Sequence, residues 1–148
     1  MPDNKIKEFY GSDSYLLIGM SKKKKNFAWG IYKSFTESGR TVLPLHPDGG
    51  DINGVKLYAR IEDLPEKSES CIICADVKKN TDIIPELVNS GIRRFWFQQG
   101  SYNEESLEQA RKHNARALTG CVLMYLPEAS FPHKLHRFFH ELFSKGRN

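Results

Sequence analysis

The apolar positions of this 148-residue chain fall into short blocks that alternate with stretches of helical period. Tyr15, Leu16, Leu17 and Ile18 form one block, which ends at Gly19. A continuous apolar run this short, bounded by a turn residue, predicts a buried strand. From Asn26 the spacing changes: Phe27, Ile31 and Phe35 recur on one helical face, and Gly39 stands where a helix C-terminal glycine belongs. Thr41, Val42, Leu43, Pro44 and Leu45 predict a second strand with its proline near the end. A loop over 46–53, carrying Pro47, Asp48, Gly49 and Gly50, follows it. Residues 55–58 read as a short extended piece and 61–65 as a single helical turn. Cys71, Ile72, Ile73, Cys74 and Ala75 predict a third strand. Asn80 or Thr81 can cap the next helix, whose Ile84, Leu87 and Val88 share a face up to Gly91, with Pro85 tolerated in its first turn. A fourth strand over 94–98 ends at Gly100. Asn103, with Glu105 and Ser106, opens a helix carrying Leu107 and Ala110, and 115–119 is a fifth, weaker strand. Leu135, Phe138, Phe139, Leu142 and Phe143 trace the apolar stripe of a C-terminal helix over 131–145.

Strand and helix alternating in this way imply crossovers, hence a parallel sheet of about five strands with helices on both faces. The expected fold is a three-layer, Rossmann-like α/β domain spanning 1–148, with 131–145 an appended amphipathic helix. No internal repeat or linker divides it. Ligands of such sheets bind outside the carboxyl ends of the strands, which directs attention to Gly19, Leu45, Ala75 and Gln98. Composition agrees with a folded domain, at 39% hydrophobic and 27% charged. A chain of this length buries roughly two-thirds of its unfolded surface and needs no disulfide staples. The odd set of Cys71, Cys74 and Cys121 fits reduced thiols. No apolar stretch approaches the roughly 20 residues that cross a bilayer, and no signal core follows Met1. The expectation is a cytoplasmic protein without a membrane partner.

Charge sharpens the picture through its location. The net charge is only +4, but Lys22, Lys23, Lys24 and Lys25 stand together after the first strand. There Gly19 permits a tight turn, Ser21 offers a hydroxyl, and helix N-terminal amides attract phosphate. The glycines of a dinucleotide fingerprint would be needed where Ser21 and Lys24 stand, and the second strand ends in Leu45, His46 and Pro47 instead of an acid that could read an NAD ribose. A Walker sequence is absent as well.

These segments resemble the small CoA-binding domain proteins, related to the nucleotide-binding domain of succinyl-CoA synthetase α subunits. The resemblance covers about 15–125. It rests on Gly19 and Ser21 after the first strand, then on Gly39 to Pro47 as the second strand and its exit. It continues through Gly54 to Tyr58, Ile61 to Pro65, Asp76 to Lys79, Phe95 to Gly100, and Gly120 with Cys121. It implies a fold that holds coenzyme A along the strand ends. Carried over by position, Gly19, Met20 and Ser21 line the phosphate loop, to which the lysines, Lys22 and Lys25 among them, add charge on the reading of the residues themselves. His46 and Pro47 flank adenine or ribose, Val77 and Lys78 cover the nucleotide, and Gln98, Gln99 and Gly100 border the pantetheine path. Cys121 lies near the same cleft. The chain departs from the family pattern at His46, where asparagine is usual, at the lysines of the first loop, where a proline is common, and at Val122, where a proline is common.

Other constellations carry less. Cys71 and Cys74, three apart on a strand, face opposite sides and read as small core residues. Cys121 reads as a half-buried structural cysteine, with disulfide exchange onto a CoA thiol as its functional alternative. His133, His136 and His140 share adjacent helical turns without an acidic or cysteine partner and read as a packing or solvated face. Tyr58, Trp96 and Phe97 are candidates for stacking on a base; Trp96 and Phe97 alternate, so at most one faces any given surface, and core packing is the role expected of both. The apolar terminal helix leaves a homodimer open.

No nucleophile–base–acid order stands out, and Asp76 is the one acid at a strand end. The leading reading is therefore a non-catalytic CoA or acyl-CoA binding protein: a sensor, carrier or regulatory module. The alternative is a nucleotide-dependent enzyme using NADP or ATP in the same cleft. Nucleic-acid binding is disfavoured, because basic residues elsewhere are interleaved with acids and no RNA-binding aromatic motif is present.

Overall fold

The structure is a computed structural model that describes residues 4–23, 25–75 and 82–125. Five parallel strands form one sheet: β1 (Ser14–Ile18), β2 (Thr41–Leu45), β5 (Ser70–Ile73), β6 (Arg94–Phe97) and β7 (Arg116–Thr119), in the order β2-β1-β5-β6-β7. Each pairs in register with its neighbour, as in Leu17 with Pro44 on one side and Ile72 on the other. The helices are α1 (Asn4–Tyr10), α2 (Phe27–Glu37), α3 (Ile83–Asn89) and α4 (Glu104–Lys112). This is the Rossmann-like three-layer architecture that the alternation of blocks predicts.

Alternation along the strands divides the core in two. Tyr15, Leu17, Val42, Ile72 and Trp96 point to one face, where they pack with Phe9 of α1 and Ala28, Ile31 and Phe35 of α2. Leu16, Leu43, Leu45, Cys71, Ile73, Phe95 and Phe97 point to the other, beneath Ile84 and Leu87 of α3 and Leu107 and Ala110 of α4. Cys71 and Cys74 accordingly belong to opposite clusters, as do Trp96 and Phe97. The Trp96 indole N–H is satisfied by the Gly120 carbonyl at 3.0 Å.

The helix termini follow local chemistry. After α2, Gly39 adopts φ +87°, its amide bonds the Thr36 carbonyl, and Arg40 reaches back to Phe35, a left-handed C-terminal closure. At α4, Asn103 accepts from the Ser106 amide while the Ser106 hydroxyl accepts from the Asn103 amide, both at 2.8 Å. Pro85 is the third residue of α3, where its missing N–H removes no helical bond. The candidate caps Asn80 and Thr81 lie outside the described residues.

Two elements differ from expectation. Helix α1 was not foreseen, because seven residues with only Ile6, Phe9 and Tyr10 apolar are too few to show a period. The 46–53 loop contains a strand, β3 (Gly50–Ile52), which pairs antiparallel with β4 (Val55–Leu57). Asn53 and Gly54 join them, both with positive φ, which is the two-residue turn that matches strand twist. The hairpin meets the β2 edge through one bridge: Tyr58 N donates to Pro44 O at 2.9 Å, and His46 N to Tyr58 O at 2.8 Å. The 61–65 turn is observed as a 3-10 turn over Ile61–Asp63. The segment 131–145 lies outside the described residues. No described helix is long and apolar enough to cross a membrane.

Candidate functional site

The chain leaves β1 towards β2 on one side, whereas β5, β6 and β7 build outward on the other. The β1–β5 boundary is therefore the switch point, where crossovers diverge and leave a crevice beyond the carboxyl ends. A cleft of about 580 Å³ lies there, lined by Ile18, Gly19, Met20, Asn26, Leu45, His46, Pro47, Ala59, Cys74, Ala75 and Ile83.

Gly19 allows this crevice to exist. Its φ of +122° disfavours any side chain, and a Cβ there would stand 2.8 Å from the Ala75 amide nitrogen and the Cys74 carbonyl carbon. The β1 exit and the β5 exit thus lie too close together for a side chain at this position. From Gly19 the chain passes through Met20, which is buried, to Ser21 and the exposed Lys22, Lys23 and Lys25. Two side chains of α2's entry shape this loop. Asn26 Nδ2 donates to the Gly19 carbonyl at 2.7 Å, and Trp29 Nε1 donates to the Ser21 carbonyl at 2.9 Å. The Ser21 hydroxyl accepts from the Lys23 amide at 3.1 Å. Lys22 reaches across towards the β3–β4 hairpin, its Nζ 3.3 Å from the point a Cβ on Gly50 would occupy.

The opposite rim is the β2 exit. His46 and Pro47 begin a turn that Gly49 N closes onto His46 O at 2.9 Å, and His46 Nδ1 accepts from the Asp48 amide at 3.1 Å. Cys74 forms part of the cleft wall. Burial, and then the nearby Cys121 thiol, push the Cys74 thiol well above its ordinary range, so it stays protonated. Cys71, buried on the other face, is pushed up in the same way by burial and then by Cys74. Among the described residues no cluster of histidine, cysteine and acid could hold a metal ion.

The structure gathers Gly19, Met20, His46 and Pro47 on the cleft itself, with Ser21, Lys22 and Lys25 on the loop beside it. Gln98 is not among the residues that line this cleft. That side chain is buried, and its Oε1 accepts from the Val122 amide at 2.7 Å. Alternation puts Gln98 on the Trp96 face, where the chain folds back after β7, and the orphan Val122 N–H claims its carbonyl. Gln99 and Gly100 are exposed in the turn after β6, and Cys121 is half-buried against the Trp96 cluster. Val77, Lys78, Asp76, Lys24, His133, His136 and His140 lie outside the described residues. Sequence reasoning missed Asn26, Ala59, Cys74 and Ile83 as lining residues. Asn26 gave a signal, as an asparagine opening a helical period, but that pattern ordinarily means only a cap.

Comparison with known proteins agrees with this geometry. A protein from Pyrococcus horikoshii superposes with TM-score 0.75 at 25% identity, over 84% of this chain and 89% of that one. A conserved protein from Pyrococcus furiosus gives TM-score 0.68 at 27% identity, over 75% and 97%. An acetyl-coenzyme A synthetase from Ca. Korarchaeum cryptofilum, solved with phosphate and ADP, gives TM-score 0.66 at 20% identity. That match covers 80% of this chain but 27% of the synthetase, and it speaks for the fold alone. The model of the CoA binding domain matches residues 13–127, which takes in all five strands of the sheet and the whole cleft. The chain belongs to the CoA-binding domain family.

Proposed function

We propose that this chain binds coenzyme A or an acyl-CoA in the switch-point cleft and acts as a non-catalytic module: a sensor, carrier or regulator. The observation that carries the reading is the joint between β1 and α2. Gly19 brings two strand exits together, the α2 N-terminus opens beside them with no side-chain cap, and lysines stand on the connecting loop. An uncapped helix N-terminus offers amide donors and a positive dipole end to phosphate, and Lys22 adds charge over the hairpin rim. The β2 exit, with Leu45, His46, Pro47 and Ala59, supplies the largely apolar wall against which a nucleoside would rest. In this reading Gly19, Met20, Ser21, Lys22 and Lys25 attend the phosphates, His46 and Pro47 attend the adenosine, and Gln99 and Gly100 lie on the pantetheine side. Gln98 serves by holding Val122.

A binding role fits the two reactive side chains on the cleft wall. The Cys74 thiol is held protonated, and His46 Nδ1 is engaged by the Asp48 amide. Ligand-dependent thermal unfolding tests the reading, with CoA, dephospho-CoA, NADP and ATP compared. At 100 times its dissociation constant, a native-state ligand adds about 2.7 kcal/mol. For a domain of this size that raises Tm by roughly 5–10 °C. CoA is expected to give this shift and dephospho-CoA a smaller one. A larger shift with NADP or ATP, together with turnover, would favour a nucleotide-dependent enzyme and overturn the proposal.

A further inference from the structure

Cys74 and Cys121 are far apart in sequence, but the fold brings them to one face of the sheet. Cys74 follows β5 and forms part of the cleft wall. It packs against the cluster of Ile72 and Trp96, and so does Cys121. Past the paired Ile73 and Phe97 the ladder continues for one step, with Gln98 N donating to Ile73 O at 2.9 Å, so Cys74 lies beside Gln98. Gln98 in turn holds the chain that returns after β7. Its Oε1 accepts from the Val122 amide at 2.7 Å, while Trp96 Nε1 donates to the Gly120 carbonyl at 3.0 Å. Cys121 is the residue between these two anchors. Beyond it the Tyr10 hydroxyl donates to the Val122 carbonyl, and the 3-10 turn over Val122–Tyr125 meets α2. Residues 120–123 therefore cross from the β7 edge over β6 towards α2, on the face to which Cys74 points. The influence of Cys121 on the Cys74 thiol agrees with this path. Both cysteines are free and half-buried, whereas Cys71 is fully buried on the opposite face.

We propose that Cys74 and Cys121 are a redox pair, which a peroxide closes into a reversible intramolecular disulfide at the cleft wall. The pairing does not depend on which nucleotide the cleft takes. Cys121 reacts first, because the Cys74 thiol is held protonated and a protonated thiol is a poor nucleophile. The Cys121 sulfur attacks one peroxide oxygen, the O–O bond breaks, and the thiol proton leaves with the departing hydroxide as water. The Cys74 sulfur then attacks the resulting sulfenic acid. The S–S bond forms as the S–O bond breaks, and the Cys74 proton leaves with that hydroxide as a second water. Two thiols lose two electrons, and the peroxide is reduced to two waters. The burial that makes Cys74 slow also denies the reduced pair the stabilisation of a thiolate, which favours the closed form. The Gly120 and Val122 anchors keep Cys121 on the Cys74 side while the second step takes place.

Peptide mapping by mass spectrometry, after the native full chain has been treated with hydrogen peroxide, tests the pair. The expected product is lighter by two hydrogens, with the Cys74 and Cys121 peptides linked and Cys71 free, and dithiothreitol restores all three thiols. Cys121→Ser should leave Cys74 reduced, slowing its oxidation at least about tenfold under the same treatment. Cys74→Ser should let Cys121 proceed to the sulfinic acid, since no second thiol is there to trap the sulfenic acid. In the wild-type protein a link from Cys71 to Cys74, links between separate chains only, or three thiols that stay free would overturn the inference. So would Cys121 carried to the sulfinic acid beside a reduced Cys74. None of these outcomes bears on whether the cleft takes CoA.

Discussion

At the amino edge of the sheet, polar groups close on one another. The Ser68 hydroxyl donates to the Ser14 and Ser70 carbonyls at 2.8 and 3.0 Å, the Ser12 and Ser70 hydroxyls pair, and Arg94 ties Ser70 to Glu69 at 3.1 Å each. Tyr15 donates to Phe9 O at 2.7 Å, and Arg116 meets Glu8 at 3.1 Å. The Ser14 hydroxyl, and the Ser34 hydroxyl in the half of α2 that returns towards this edge, stay buried without a partner among the described residues. At the carboxyl edge the same strands end in a glycine, an uncapped helix, an orphan amide oxygen and exposed lysines. Both ends belong to one sheet flanked by the same two apolar clusters, so hydrophobic burial cannot account for the difference. The closed edge spends its hydrogen bonds on stability, whereas on the proposed reading the open edge serves a ligand.

The contrast can be broken most forcefully at Gly19. A Gly19→Val side chain would enter left-handed backbone and press on the Cys74–Ala75 peptide at 2.8 Å. Backbone strain and overpacking together should destabilise by about 3–5 kcal/mol and abolish CoA binding, as urea unfolding and calorimetric titration would show. Replacing Lys22, Lys23 and Lys25 by alanine should separate the two properties. CoA affinity is expected to fall roughly 10- to 100-fold and to lose salt dependence, with unfolding free energy changed by less than about 0.5 kcal/mol. Arg94→Met is the converse at the closed edge. Loss of its charged hydrogen bonds should destabilise by about 1–2 kcal/mol and leave CoA affinity within about twofold.

The smallest effect is alkaline. Cys71, Cys74 and Tyr15 all have ionisation pushed upward in the folded protein, chiefly by burial. The unfolded chain therefore releases protons first, and native stability is fully present below the ordinary thiol range near 8.5. It declines as pH rises beyond that range, by less than about 1 kcal/mol per buried thiol at pH 9. Chemical denaturation at pH 7 and pH 9 measures it, and stability that rises with pH would contradict the burial of these groups.

Much of this architecture is legible in the chain because strands buried on both faces write themselves as unbroken apolar blocks, as at 15–18 and 71–73. Helix α1 and strand β3 are not legible in that way, because their apolar positions are too few, although β4 reads as an extended piece and Asn53-Gly54 is itself a turn signal. At the site, Gly19, His46 and Pro47 could be found because strand-end position alone selects them. Gln98 has the same position, yet its side chain turns inward, a choice made by the Val122 amide 24 residues later. Asn26 was hidden for the opposite reason. Its identity announces a cap, and only the contact with Gly19 shows that it does not cap.

The most direct test of the difference between the two edges is residue-resolved amide NMR during titration of the wild-type protein with CoA. The predicted result is saturable shifts at Gly19 to Ser21, Asn26 to Trp29, His46, and Cys74 with Ala75, while Ser12, Ser68, Ser70 and Arg94 stay fixed. Saturable shifts confined to the amino edge, or no shifts at CoA concentrations well into the millimolar range, would contradict it.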